Sequence, residues 1–137
     1  MVKILLDTNA LAEAVRPAPN AGFLKRLRAN EAKLAIATVT FHEALYGVER
    51  LSDGKRKEGL REYMREVVTK MAALPYDAKA AEWHARERAR LEIAGRKMPY
   101  ADGQIAAVAV VNDLTLVTAN VRDYRHVEGL RVENWLT

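Results

Sequence analysis

Three acidic residues far apart in the chain, Asp7, Glu43 and Asp102, stand where a carboxylate can do chemistry. Asp7 ends the aliphatic run Val2 to Leu6, which has the length of a strand, and precedes Ala10-Leu11-Ala12-Glu13-Ala14, which reads as a helix. In an open parallel sheet that junction is the edge where ligands bind. Glu43 follows the short apolar run Leu34 to Ala37, and Asp102 precedes the apolar stretch Ile105 to Val111. If these junctions share one sheet edge, the three acids converge. Ionised carboxylates packed together repel one another and require a cation to be stable. The chain has no cysteine, and His42, His84 and His126 have no ligand spacing, so oxygen donors would select a hard ion such as Mg²⁺ or Mn²⁺. Such an ion orients a nucleophilic water and neutralises phosphate charge, which makes phosphodiester hydrolysis the natural chemistry of the set.

Each acid also has an ordinary structural explanation. Asp7 can cap the helix that follows it. Glu43 lies three residues after Thr40, the spacing of a capping box. Asp102 can favour the positive end of the Ile105 helix from its first turn, and Asp123 can hold a turn. The three histidines are expected in surface or packing roles. Arg86, Arg88, Arg90, Arg96 and Lys97 form a basic stretch that could follow an RNA backbone, as could Arg122 and Arg125. The alternative is a solvated helix face neutralised by Glu82, Glu87 and Glu92.

The elements that must position these residues follow in order. The spacing predicts a short helix over 9–15, stopped by the prolines at 17 and 19, and a second one capped by Asn20 with Phe23, Leu24 and Leu27 on its apolar stripe. A buried strand over 34–37 leads to a helix from about Phe41 to Leu51. An amphipathic helix over 55–70 carries Leu60, Met64, Val67 and Val68, and a brief strand over 71–74 follows. A long helix runs from Asp77 to about Ile93, closed by Gly95. The segment 105–111 is apolar on all sides and, as a helix, must lie between other layers. Strands over 114–118 and 130–135 complete the chain. Strands alternating with helices imply parallel crossovers and a sheet covered on both faces.

Length and composition agree. The 137 residues suffice for one domain with a substantial core, so residues 1–137 are read as a single unit. Half the residues are hydrophobic and 29% are charged, a globular balance that excludes a disordered or fibrous chain. No apolar run approaches the roughly 20 residues that cross a bilayer, and Met1-Val2-Lys3 leads into the first strand without a cleavable signal. A cytoplasmic protein without a membrane partner is expected. Twenty-two basic against 18 acidic residues give +4, which suits a polyanionic partner, more so if several acids are gathered at one site.

Four segments then carry a resemblance. Leu5-Leu6-Asp7-Thr8-Asn9, Thr40-Phe41-His42-Glu43-Ala44-Leu45-Tyr46-Gly47, Tyr100-Ala101-Asp102-Gly103-Gln104-Ile105-Ala106-Ala107 and Leu116-Val117-Thr118-Ala119-Asn120-Val121-Arg122-Asp123-Tyr124 resemble the signature blocks of the PIN-domain family, in family order over nearly the whole chain. The similarity is greatest to VapC-type toxins of bacterial toxin–antitoxin pairs. The resemblance implies a three-layer α/β/α fold with a central parallel sheet and Mg²⁺- or Mn²⁺-dependent endoribonuclease activity. It matches Asp7, Glu43 and Asp102 to the core metal-binding acids. Many PIN domains place a fourth acid where this chain has Asn120, and VapC-like relatives use a carboxylate at the position of Asp123. It further implies an RNA substrate, a VapB-like antitoxin, whose helix the elements around 41–70 could receive, and a homodimer.

Other classes make different demands. An aspartyl-phosphate phosphatase would carry a second aspartate at position 9, which is Asn9, and a receiver domain would carry one after a middle strand, where none follows Ala37. A non-catalytic RNA-binding PIN module would not be expected to keep all three core acids.

Overall fold

A computed structural model describes residues 1–136. Five strands form one parallel sheet in the order β3-β2-β1-β4-β5: β1 (Ile4–Leu6), β2 (Leu34–Ala37), β3 (Ala72–Leu74), β4 (Thr115–Val117) and β5 (Arg131–Glu133). Ile4 pairs with Leu34 on one side and Thr115 on the other, so β1 is the centre of the sheet. The chain builds outward from β1 through β2 to β3, then returns to the other side of β1 to lay down β4 and β5. The order therefore reverses between β1 and β4, and the crevice beyond their carboxyl ends is where such sheets bind ligands.

Every residue of β1 and β2 is buried, as parallel strands covered on both faces require. Alternate side chains serve opposite faces. Leu5, Ala35 and Leu116 join one core with α5 (Ala78–Ile93) and α6 (Tyr100–Val111), while Ile4, Leu6, Ile36 and Val117 join the other with α1 (Thr8–Glu13), α2 (Ala21–Ala29) and α4 (Lys55–Glu66). The result is the expected three-layer α/β/α arrangement. Alanines at 35, 37, 80, 106, 107 and 109 are all fully buried and let α6 lie close on the sheet. That close approach explains why its middle is apolar on every side.

Several element boundaries differ from the sequence reading. The helix bearing Glu43, α3 (Thr38–Glu49), begins three residues earlier than Phe41, with Ala37 at its N-cap. Thr40 is therefore inside the helix and fully buried, and its hydroxyl has no hydrogen-bond partner, so the capping-box reading of Thr40 and Glu43 does not hold. The helix from Lys55 stops at Glu66 instead of reaching Lys70. It tightens into a 3₁₀ turn at Val68–Lys70, where Val67, Val68 and Thr69 disfavour α-helix. The last strand is only Arg131–Glu133, half exposed at the sheet's edge. Among the described residues no helix is long and apolar enough to cross a membrane.

Candidate active site

Asp7 leaves β1 and becomes the N-cap of α1, its Oδ1 accepting the Ala10 N–H at 2.8 Å. The structural explanation of Asp7 is thus correct, but it uses only one face of the carboxylate. The Thr118 hydroxyl, just past β4 across the switch point, stands beside the same carboxylate. Asp7 is only 4% exposed, and burial pushes its carboxyl above the ordinary range, while Thr118 and the Ala10 and Asn9 amides pull it back and Glu43 pushes it further up. Thr118 is itself buried and accepts the Asn120 N–H at 3.0 Å.

Glu43 stands in the second turn of α3, and the Thr8 hydroxyl donates to its Oε1 at 2.8 Å. Adjacent residues in the chain, Asp7 and Thr8, thus belong to two different acids of one cleft. The orphaned Thr40 hydroxyl lies one helical turn before Glu43.

Asp102 occupies the first turn of α6, where the helix dipole favours a negative charge. Its carboxyl is nevertheless raised: burial contributes most, followed by the fields of Asp123 and Asp7, with Glu43 a smaller contribution. The Tyr124 hydroxyl stands beside Asp102 and opposes this rise. Tyr124 is buried, and its own hydroxyl is driven far above the usual tyrosine range by burial first and then by Asp102, Asp7 and Asp123. Asp123 is exposed on the 3₁₀ turn Val121–Tyr124, whose N-cap is Asn120.

The four acids thus come from four segments and face one another at the carboxyl edge of the sheet. They are neighbours in field rather than in contact. Among the described residues no three acidic or histidine side chains are drawn together closely enough to grip an ion as they stand. No lysine or arginine among the described residues pairs with any of the four. The donor set fits a hard divalent cation: oxygen atoms alone, net negative, with the Thr8 hydroxyl holding Glu43 and the Thr118 and Tyr124 hydroxyls beside Asp7 and Asp102.

Sequence reasoning did not single out Tyr124, although it closes the last signature block; an aromatic beside a polar turn gives no sign that its hydroxyl reaches an acid 22 residues earlier. It also read His84 only as a packing or surface residue. His84 is buried with Nδ1 2.8 Å from the Tyr76 hydroxyl, and its Nε2 lies against Gly103, where any Cβ would overlap the ring. Gly103 thereby seats the turn that carries Asp102 on α5. The helix arginines follow the solvated-face alternative: Arg86 pairs with Glu82, Arg88 with Glu92 and Arg90 with Glu87. Arg96 and Arg125 do not. Both donate to Nε2 of His126, at 2.8 and 3.1 Å, and neither meets a carboxylate among the described residues.

A parallel 3-2-1-4-5 sheet with acids gathered at its switch point defines a class, the compact α/β domains that place carboxylates beyond the central strands. The chain belongs to the PIN-domain family, whose pattern matches residues 4–130. It is 35% identical over 135 residues to the tRNA(fMet)-specific endonuclease VapC of Shigella flexneri, covering 98% of this chain and 99% of that protein. Among solved structures it superposes on FitAcB from Neisseria gonorrhoeae with a TM-score of 0.89 at 30% identity, covering 96% and 97% of the two chains. It also superposes on VapBC2 from Rickettsia felis bound to a promoter DNA fragment, with a TM-score of 0.85 at 26% identity and coverage of 98% and 99%.

Proposed function

We propose that this chain is a divalent-metal-dependent endoribonuclease and the toxin member of a VapBC-type toxin–antitoxin pair, acting in the cytoplasm. The observation that carries the reading is the gathering of Asp7, Glu43, Asp102 and Asp123 from four segments at the switch point, where burial first and then the fields of Asp123, Asp7 and Glu43 raise the Asp102 carboxyl. Relatives named as endonucleases and toxins over the same length support it.

Asp7, Glu43 and Asp102 would hold Mg²⁺ or Mn²⁺, with Asp123 at a second site or against the attacking water. When bound, the ion supplies positive charge to the phosphate and to the oxygens that enter and leave. The chain's own groups do the rest. The Ala10 amide fixes Asp7 with Thr118 beside it, Thr8 aims Glu43, and Tyr124 stands beside Asp102, so the acids are met by neutral donors. Asp123, exposed at the rim, orients a water for in-line attack on phosphorus. The bond to the 3′ oxygen breaks, and that oxygen leaves with a proton. Arg96 and Arg125, which meet no carboxylate among the described residues, offer the flanking phosphates a cationic contact.

The antitoxin is a VapB-like protein whose amphipathic helix enters the apolar groove of about 340 Å³ that opens beside Thr8 and Glu43 and is lined by Leu11, Val15, Val48, Leu60 and Met64. A homodimer belongs to the same proposal. Purified protein incubated with RNA is expected to cut it in Mg²⁺ or Mn²⁺, to stop in EDTA, and to lose cleavage as Asp7→Asn or Asp102→Asn. Cleavage by Asp7→Asn at the parental rate, in protein free of other nucleases, would remove the assignment.

A further inference from the structure

A hollow of about 550 Å³ extends from Thr8 and Glu43 along the open side of α3, with Ala101 and Gln104 of α6 on its wall. His42 and Tyr46 on α3 and Arg50 at its C-cap recur every four residues and so stand above one another on one face. The His42 and Tyr46 rings are parallel to within 2°, with centroids 6.2 Å apart, and the Arg50 guanidinium lies 5.7 Å from the Tyr46 centroid. All three are exposed, Tyr46 by 59%. The residues by which α3 serves the core are others: Phe41, Ala44, Leu45 and Val48. Among the described residues the side chains of His42, Tyr46, Arg50 and Gln104 make no hydrogen bond or ion pair. The structure therefore holds a row of flat, solvent-facing groups that packing does not explain, continuous with the acid cleft through Glu43.

We propose that His42, Tyr46 and Arg50 form a stacking platform for one unpaired RNA base next to the scissile phosphate, with the Gln104 amide facing its edge. The inference rests on the nuclease reading and adds where base preference arises. Splayed bases in single-stranded RNA stack on aromatic rings and guanidinium planes, and an amide supplies both a donor and an acceptor to a base edge. A protein partner is the poorer occupant. The apolar groove on the other side of Glu43 has the aliphatic lining that a partner helix needs, whereas this hollow offers flat and polar groups.

The test uses short single-stranded RNAs carrying an abasic residue at each position in turn, titrated in Mg²⁺ against Asp7→Asn protein by fluorescence anisotropy. One abasic position is expected to weaken binding roughly 5- to 100-fold, the range of a single base–aromatic stack. Adding Tyr46→Ala should weaken intact RNA by a similar factor and erase that positional effect, and Tyr46→Trp should restore it. With the acids intact, Gln104→Leu should change the base found beside mapped cleavage ends. Undiminished positional discrimination in Tyr46→Ala overturns the platform. So does a Tyr46→Ala protein that only shifts from dimer to monomer by light scattering, which would make this face a contact between copies of the chain. Positional discrimination in binding, with no cleavage by the parental protein, keeps the platform and removes the nuclease reading.

Discussion

Asp7 performs two tasks that substitution can separate, because it is both the cap of α1 and a buried charge facing other acids. Asparagine keeps an oxygen for the Ala10 N–H, turns its NH₂ toward the Thr118 oxygen, and is as good an N-cap as aspartate. Asp7→Asn therefore removes the charge and leaves the cap. Because burial raises the Asp7 carboxyl above its ordinary range, the ionised form costs the fold stability at neutral pH, and Asp7→Asn should melt above the parent in EDTA. Asp7→Ala removes the charge too, but also loses a cap worth about 1 kcal/mol. It further takes the carboxylate away from the Thr118 hydroxyl, which is 1% exposed and keeps the Asn120 N–H as its partner, for about 1–3 kcal/mol more. The two variants should differ by about 2–4 kcal/mol, or roughly 6–15 °C in Tm for a domain of this size. Divalent cation should reverse the first comparison. An ion bound at about 100 times its Kd stabilises the parent by about 2.7 kcal/mol and leaves Asp7→Asn nearly unchanged. Thermal melts by circular dichroism in EDTA and in Mg²⁺ read all three. If Asp7→Asn melts below the parent in EDTA, or melts together with Asp7→Ala, the separation of cap from charge is wrong.

Gly103→Ala should cost about 1–3 kcal/mol, because its Cβ would overlap the His84 ring; combining it with His84→Ala should recover part of that loss, and additive losses in urea denaturation would refute the contact. Glu87 is buried, accepts from Arg90 and from the Glu128 N–H at 2.8 Å, and its carboxyl is held below the ordinary range chiefly by Arg90. It therefore contributes stability above the unfolded-state value that is lost as pH falls through the folded one. Glu87→Gln should cost about 1–3 kcal/mol at neutral pH and flatten the acid limb of a stability–pH curve, and an unchanged limb would contradict the shift. Arg96→Gln with Arg125→Gln should weaken RNA binding and lower the salt slope by about 1 for each phosphate left without its arginine. Arg86→Gln with Arg88→Gln, whose guanidiniums are already paired on α5, should do neither; equal effects from the two pairs would show a diffuse basic surface.

The central strands were legible because burial on both faces makes them uninterrupted apolar runs, and β2 falls on the expected residues. Helix α6 was legible for the same reason. The start of α3 was hidden by Thr38-Val39-Thr40, β-branched residues with low helix propensity that are nonetheless drawn into the helix directly from β2. Asp7, Glu43 and Asp102 could be singled out because each lies near a strand end or a helix start, positions with a fixed relation to a parallel sheet. What could not be read was the set of groups that hold the acids. Thr8 and Thr118 lie in signature blocks, but nothing in their spacing names the acid each one faces, and Tyr124 faces Asp102 only because β4 carries it across the switch point. The same limit applied to charge. Arginines within one helix could be paired by counting residues, whereas the meeting of Arg96 with Arg125 at His126 depends on a loop 30 residues away.

The choice of hydroxyls as partners decides what the site can accept. A lysine or arginine beside Asp7 or Asp102 would lower their carboxyls and stabilise the unliganded fold, but it would also cancel the field that attracts a cation. Thr118, Thr8 and Tyr124 face the carboxylates without adding positive charge, so burial, with the neighbouring acids, keeps the Asp7 and Asp102 carboxyls raised. Asp123 lies outside this scheme: it is exposed, and among the described residues its side chain has no hydrogen-bond donor. The four acids therefore divide into three held in place before any ligand arrives and one free to adjust. That division suits a fixed primary ion site with a rim carboxylate that settles against the water or a second ion once RNA is bound. It also predicts unequal penalties. Thr118→Val should impair cation binding with Asp7 still present, and Asp123→Asn should spare cation affinity in the absence of RNA, both measurable by Mn²⁺ titration calorimetry. Equal loss of Mn²⁺ affinity in the two variants would show that Asp123 is a primary ligand and that the division is wrong.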